Sequence, residues 1–180
     1  MYPIITGFLL LLLLLAAAWH DIRSRRIPNA LVYTGAITGV LVNTLLPQEM
    51  GGLGALDSLA GLGAGLLLLL PLYLLRAMGA GDVKLMSMVG AFLGARGVTG
   101  AFMCVLLAGG LLALVMVWRQ GKLSMSLRKL KMALFFRRSS TAHLSPMPRE
   151  PEFVAKFDQL PYGVAIAAGT AAYFTAAIFG

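Results

Sequence analysis

Residues 4–19 read IITGFLLLLLLLAAAW. The unbroken leucines from Leu9 to Leu15 leave no polar face on a helix or on a strand, so this segment needs apolar surroundings on every side. It has company. Residues 30–47, 58–75, 97–118 and 159–180 also lack Asp, Glu, Lys and Arg, and the five runs are 16 to 22 residues long. A helix crosses the hydrocarbon core of a bilayer in ~17–25 residues. A strand crosses in ~9–11 with alternating polarity, which Leu66 to Leu70 also fails to show. The expected fold is therefore all-α, a polytopic membrane helix bundle. Composition agrees: the 180 residues are 59% hydrophobic and 12% charged, against ~25% charged in a soluble domain.

Leu85 to Ala95 is a sixth candidate span, entered through Asp82 and Lys84 and only 11 residues long. So short a run predicts a helix that is shielded by its neighbours or that starts below the membrane surface. Six transmembrane helices leave connections at about 20–29, 48–57, 76–84, 96 and 119–158. The first, third and fifth carry 14 of the 15 basic residues: Arg23, Arg25 and Arg26, then Arg76 and Lys84, then nine from Arg119 to Lys156; the other side has Arg96 alone. The positive-inside rule puts the basic loops in the cytoplasm and both termini outside. The first run is expected to stay as a span rather than be cleaved as a signal peptide. Its arginines follow the apolar stretch, and Met1 to Leu15 has no basic start.

Several chemistries are excluded by what is missing. Cys104, the single cysteine, lies inside an apolar run, which removes a disulfide framework and a Cys-pair metal site and points to packing. His20 and His143 are the only imidazoles, and no HExxH is present, so no zinc-peptidase arrangement and no metal are expected. The net charge of +8 follows topology rather than a nucleic-acid face. Within the last loop, Leu123, Leu127, Leu130 and Leu134 at helical spacing among basic residues predict a segment lying on the inner leaflet, followed by a Ser- and Pro-rich connection over 139–152; a membrane-anchoring loop is the preferred reading and a substrate-docking surface the alternative. The whole of 1–180 reads as one membrane-embedded domain.

Seven acidic residues remain to be placed. Glu150, Glu152 and Asp158 belong to the last cytoplasmic loop, and Glu49 and Asp57 to the outer face. Asp21, at the end of span one, and Asp82, at the entrance of span four, are the two that topology gathers at the inner membrane edge. A carboxylate near hydrocarbon is costly and turns towards protein or water. Two that converge on one wet pocket repel when both are ionised, so they share a proton, and a carboxylate beside a carboxylic acid can act as base and acid on a peptide bond. The plainer alternative makes Asp21 a hydrated helix end beside the arginines and Asp82 the N-cap of the short helix. Met78-Gly79-Ala80-Gly81-Asp82 favours a functional pair, because Gly79 and Gly81 allow another chain to approach closely. A phosphate loop is excluded by the missing Walker spacing.

Gly79-Ala80-Gly81-Asp82-Val83-Lys84-Leu85 resembles the GxGD box of the type IV prepilin peptidases. Asp21 followed by Ile27-Pro28-Asn29 resembles their first aspartate motif, and Leu160-Pro161-Tyr162-Gly163-Val164-Ala165-Ile166-Ala167 is similar to the box that opens their last span. The resemblance implies an aspartic endopeptidase of the inner membrane, with Asp21 and Asp82 as the catalytic pair and no cofactor. It would cut the short leader of pilin-like precursors at the cytoplasmic face. Pro28 is expected in the first turn of span two, with Asn29 holding the loop that bears Asp21. Lys84 would tune Asp82 or meet lipid headgroups, while Pro161, Tyr162 and Gly163 would shape the site. The larger bifunctional members carry an extra cytoplasmic domain with paired CxxC motifs, associated with N-methylation. One cysteine and a first cytoplasmic loop of about ten residues leave no place for it. The chain resembles the compact branch that serves Flp pili of tight-adherence systems, expected to cleave without methylating.

Two rival functions stand beside this one: an ion-coupled small membrane transporter, in which Asp21 and Asp82 relay protons or bind a cation, and a noncatalytic pilus-assembly factor. No inverted repeat supports the first. Gly61 and Gly65 form a GxxxG, and Gly109-Gly110 sits in span five; tight helix packing within one molecule explains both at least as well as dimerisation, and oligomeric state is left open. Pro71 is expected to kink span three. Tyr2, Trp19, Trp118 and Tyr162 fall near span ends, where interfacial anchors belong.

Overall fold

The computed structural model describes residues 4–75, 78–119 and 162–179. Tyr2, Arg76, Pro161 and the basic loop beyond Arg119 lie outside the described residues. Five α-helices follow in order: α1 (Ile4–Ser24), α2 (Asn29–Leu45), α3 (Ala55–Leu74), α4 (Ala80–Arg119) and α5 (Tyr162–Phe179), with a short 3-10 turn, Gln48–Met50, between α2 and α3. Among the described residues there is no strand. α1, α3 and α4 are long and apolar enough to cross a membrane; α2 and α5 are apolar but shorter.

The leucine-rich α1 has two faces that its sequence hides. Leu10, Leu14, Ala17 and Asp21 follow helical spacing and are buried. Ile5, Phe8, Leu12, Leu15, Trp19 and Ile22 follow the same spacing on the other side and are exposed. So much large apolar surface facing outward is a liability in water and is matched by lipid chains.

The sequence predicts separate fourth and fifth spans, whereas α4 is one element of 40 residues. Held straight it would reach ~60 Å, twice the ~30 Å of bilayer hydrocarbon. It is not straight. Gly94 has φ 71 and ψ 176, a backbone region nearly closed to residues with a side chain. Contacts run in opposite senses on either side. Before the break, α3 lies antiparallel: Gly65 touches Met86 and Ser87, and Gly61 touches Gly90 and Gly94. After it, α5 lies antiparallel, with Tyr173 at Gly100, Gly169 at Val105 and Ala165 at Gly109. α5 is also antiparallel to α1, bringing Phe174 to Gly7 and Gly163 to Asp21. The chain thus climbs away from Asp21 over 80–93 and returns towards it over 95–109. The break falls at Gly94, two residues before the expected connection at Arg96. All residues from Leu85 to Gly94 are buried, so the short segment is shielded as expected, and its helix also begins earlier, at Ala80.

A break inside a bundle frees backbone carbonyls whose i+4 amides lie beyond it. Asn43, 1% exposed on α2, donates its side-chain NH2 to the carbonyls of Ala91 at 2.9 Å and Phe92 at 3.1 Å. The Ser58 hydroxyl on α3 donates to Ala91 at 2.6 Å. Asp57 approaches Gly94 at this same end, so it is separated from Asp21 as topology predicts.

Gly61 and Gly65 do pack helices within the molecule, since a methyl on either would overlap α4 backbone. Gly109-Gly110 does not show such close packing within the molecule. Gly109 makes only an ordinary contact with Ala165, and Gly110 faces open space. The close approach of α4 to α5 occurs instead at Gly169, against the Val105 backbone.

Candidate active site

The end of the bundle where α1 stops and α4 starts gathers most of the residues singled out in the sequence. Asp21 comes last in the buried stripe Leu10, Leu14, Ala17, Asp21, so the register that buries the leucines also turns this carboxylate inward; it is 7% exposed. The next turn ends the helix, with Arg25 at φ 51 and its N–H on the Asp21 carbonyl at 2.9 Å. Chain reversal follows through Pro28, whose φ −61 and ψ 126 are extended. Pro28 is therefore the N-cap residue of α2, not part of its first turn as expected. Its carbonyl accepts the Val32 N–H at 3.4 Å.

Asp82 is the third residue of α4 and is 8% exposed. Its Oδ2 accepts the Gly79 N–H at 3.2 Å, while its own N–H reaches the Gly79 carbonyl at 3.2 Å. This reciprocal pairing resembles a capping box, with Gly79 in the N-cap place and Asp82 three residues on. The plainer alternative for Asp82 is thereby corrected in position: it supports the helix start from inside, and it is not the N-cap. Gly81 turns its bare face to Ile27, letting the chain before α2 pack against the start of α4.

Asp21 and Asp82 lie within electrostatic reach of each other. The start of α5 completes the cluster. The Gly163 N–H donates to Asp21 Oδ2 at 2.8 Å in a buried bond, and the Val164 N–H adds to the favourable field on the same carboxylate. A side chain on Gly163 would begin 2.8 Å from that Oδ2, so glycine is required for this approach. Tyr162 is half-buried, packs on the core and interacts electrostatically with Asp82. Its expected role as an outward interfacial anchor is corrected, while Trp19 and Trp118 are exposed in keeping with theirs.

Asn29 does not hold the Asp21 loop. Its Oδ1 accepts from Lys84 Nζ at 3.1 Å, and that ammonium lies 5.4 Å from the centre of the Tyr33 ring. Lys84 thereby joins the start of α2 to the start of α4. Tyr33 was missed from sequence, although its position one turn after Asn29 puts the two on one face. Asn43 was missed as well; its signal is an amide alone among apolar neighbours. Among the described residues, no group of three or more His, Cys, Asp or Glu stands together as a metal site. Chemically the arrangement offers two buried carboxylates, each with a backbone donor, and a phenol near Asp82.

A family model described as the type IV leader peptidase family matches residues 8–117, a stretch that contains both aspartates and ends before α5. Comparisons with curated proteins and with solved structures give no match.

Proposed function

The chain belongs to the type IV leader peptidase family, and on that footing we propose that it is a membrane aspartic endopeptidase that removes the short leader of Flp-type prepilins at the cytoplasmic face without N-methylation. Asp21 and Asp82 are its catalytic pair. The observation that carries this reading is the meeting of two buried carboxylates, one from the end of α1 and one from the start of α4. In the hydrolysis one carboxylate takes a proton from water as the water oxygen bonds to the scissile carbonyl carbon, and the carboxylic acid protonates the carbonyl oxygen. The tetrahedral diol then collapses as the amine nitrogen receives a proton and the C–N bond breaks. Each carboxyl ends in its starting state.

The other parts of the site support the pair. Gly79 and Gly81 set the entry into α4, Pro28 and Asn29 the entry into α2, and Lys84 joins the two. Tyr162 and Gly163 bring the start of α5 to the carboxylates. With six crossings, α4 supplying two of them around Gly94, the dyad stands at the inner edge of a bacterial inner membrane and both termini face outward. A precursor with a short basic leader before an apolar helix delivers its leader junction to that depth. Co-expression with candidate Flp-type precursors tests the reading: a shortened subunit is expected, and full-length subunit alone, with precursor and enzyme both inserted, contradicts it. The transporter and assembly-factor alternatives predict that second result.

A further inference from the structure

Asp21 and Asp82 are buried to the same degree, 7% and 8% exposed, yet their surroundings differ in kind. Asp21 receives the Gly163 N–H at 2.8 Å, and the neighbouring Val164 N–H adds to the field that favours its charge. Both belong to the first turn of α5, where amides have no carbonyl partner in their own helix and favour an anion. Arg25, just past the end of α1, adds positive field. Asp82 receives a single N–H, from Gly79, at 3.2 Å. The first turn of α4 also favours an anion there, but the groups facing Asp82 are the Asp21 carboxylate and the Tyr162 phenol. Lys84, two residues away, is turned to Asn29 and Tyr33. A carboxyl crowded by donors is satisfied as the anion, whereas one with a spare oxygen beside another carboxylate is satisfied by a proton.

Resting on the reading of these two as a catalytic pair, we propose that the pair is asymmetric before substrate arrives: Asp21 is the carboxylate and Asp82 is the carboxylic acid that holds the shared proton. This orders the reaction. Asp21 takes the proton of the attacking water while Asp82 gives its own to the carbonyl oxygen. As the diol collapses, Asp21 passes its proton to the leaving nitrogen, and Asp82 recovers one from a diol hydroxyl. The α5 start is thus part of the base, acting through two amides.

The two states are told apart by reagents with opposite demands. An ionised carboxylate opens an epoxide to give an ester, and the freed alkoxide takes a proton from water. A carboxylic acid protonates a diazo carbon and then forms the ester as nitrogen gas departs. Full-length protein in detergent is treated with glycidyl nitrophenyl ether or with a diazoacetamide and mapped by peptide mass. The expected result is epoxide ester mainly on Asp21 and diazo ester mainly on Asp82, a split by reagent that a difference in access would not give, because access would favour one residue with both reagents. The opposite distribution, or the same distribution for both reagents, overturns the assignment. A second measurement replaces the Gly163 amide by an ester through glycolic acid at that position, which removes the donor and adds no atom. The acidic limb of precursor cleavage should move to higher pH with kcat lowered and KM kept, and an unmoved limb overturns the proposal. Unmodified protein from the same preparation is assayed on precursor, so that absence of cleavage contradicts the peptidase reading while swapped labels in a cleaving preparation contradict only the roles.

Discussion

At the residue scale, the aspartates are separable from the structure that holds them. Asp21→Asn and Asp82→Asn keep the side-chain outline but remove the group that takes or carries the proton, so each is expected to lower precursor cleavage by roughly 100-fold or more while insertion persists. Near-normal processing by either variant in a strain lacking the wild-type chain would remove the dyad. Gly163→Ala is a finer probe. Its Cβ would lie 2.8 Å from Asp21 Oδ2, so the carboxylate must shift, and a displacement of about 1 Å at a reacting group costs about 100-fold in rate. Cleavage by Gly163→Ala should fall steeply with thermal stability in detergent nearly unchanged; full activity would show that Asp21 need not sit against α5. Asp21 and Asp82 were legible because an acid among apolar residues asks for a reason. The Lys84–Asn29 bond was not, because it joins residues 55 apart in sequence, and spacing along the chain carries no information about such a pairing.

At the element scale, the reversal inside α4 depends on one backbone conformation and on two side chains that serve the carbonyls it frees. Gly94→Ala places a side chain at φ 71 and should destabilise the fold by about 1–3 kcal/mol. Asn43→Leu leaves Ala91 with its Ser58 partner but strips Phe92 of its donor, and a buried carbonyl left unpaired costs about 1–3 kcal/mol. Both variants should unfold at lower temperature or denaturant in detergent, and unchanged stability of Asn43→Leu would show that the Phe92 carbonyl is served otherwise. The sequence placed this break near Arg96 because charge is the visible boundary mark in an apolar run. The structural demand was for positive φ, and Gly94 is one glycine among 21. Likewise, the inward face of α1 was hidden by leucine on all sides, and packing alone decides which leucines meet protein and which meet lipid.

At the scale of the whole molecule, uninterrupted apolar runs made the helical fold legible, and the contacts on either side of Gly94 supply the path that run lengths could not. The proposed topology is open to test with Cys104 replaced first. A cysteine introduced within 139–152 should react with an impermeant thiol reagent only after the inner membrane is opened, and one within 49–54 should react from outside. The reverse pattern would put Asp21 and Asp82 on the wrong side for a cytoplasmic leader. The resemblance to the type IV prepilin peptidases, whose leaders commonly end in glycine, implies a cut directly after that glycine, and a residue without a side chain would let the scissile backbone come close to two buried carboxylates. Replacing that glycine with a bulky residue should slow processing without blocking insertion. The most direct measurement is the intact mass of an Flp-type subunit recovered from membranes that contain this chain, with the Asp82→Asn chain as control. Cleavage by the dyad predicts a mass equal to the chain beginning after the leader glycine, with an unmodified amine, and full-length mass in the control; a cut on the outer side of the apolar helix, or the same shortened mass in the control, would contradict it.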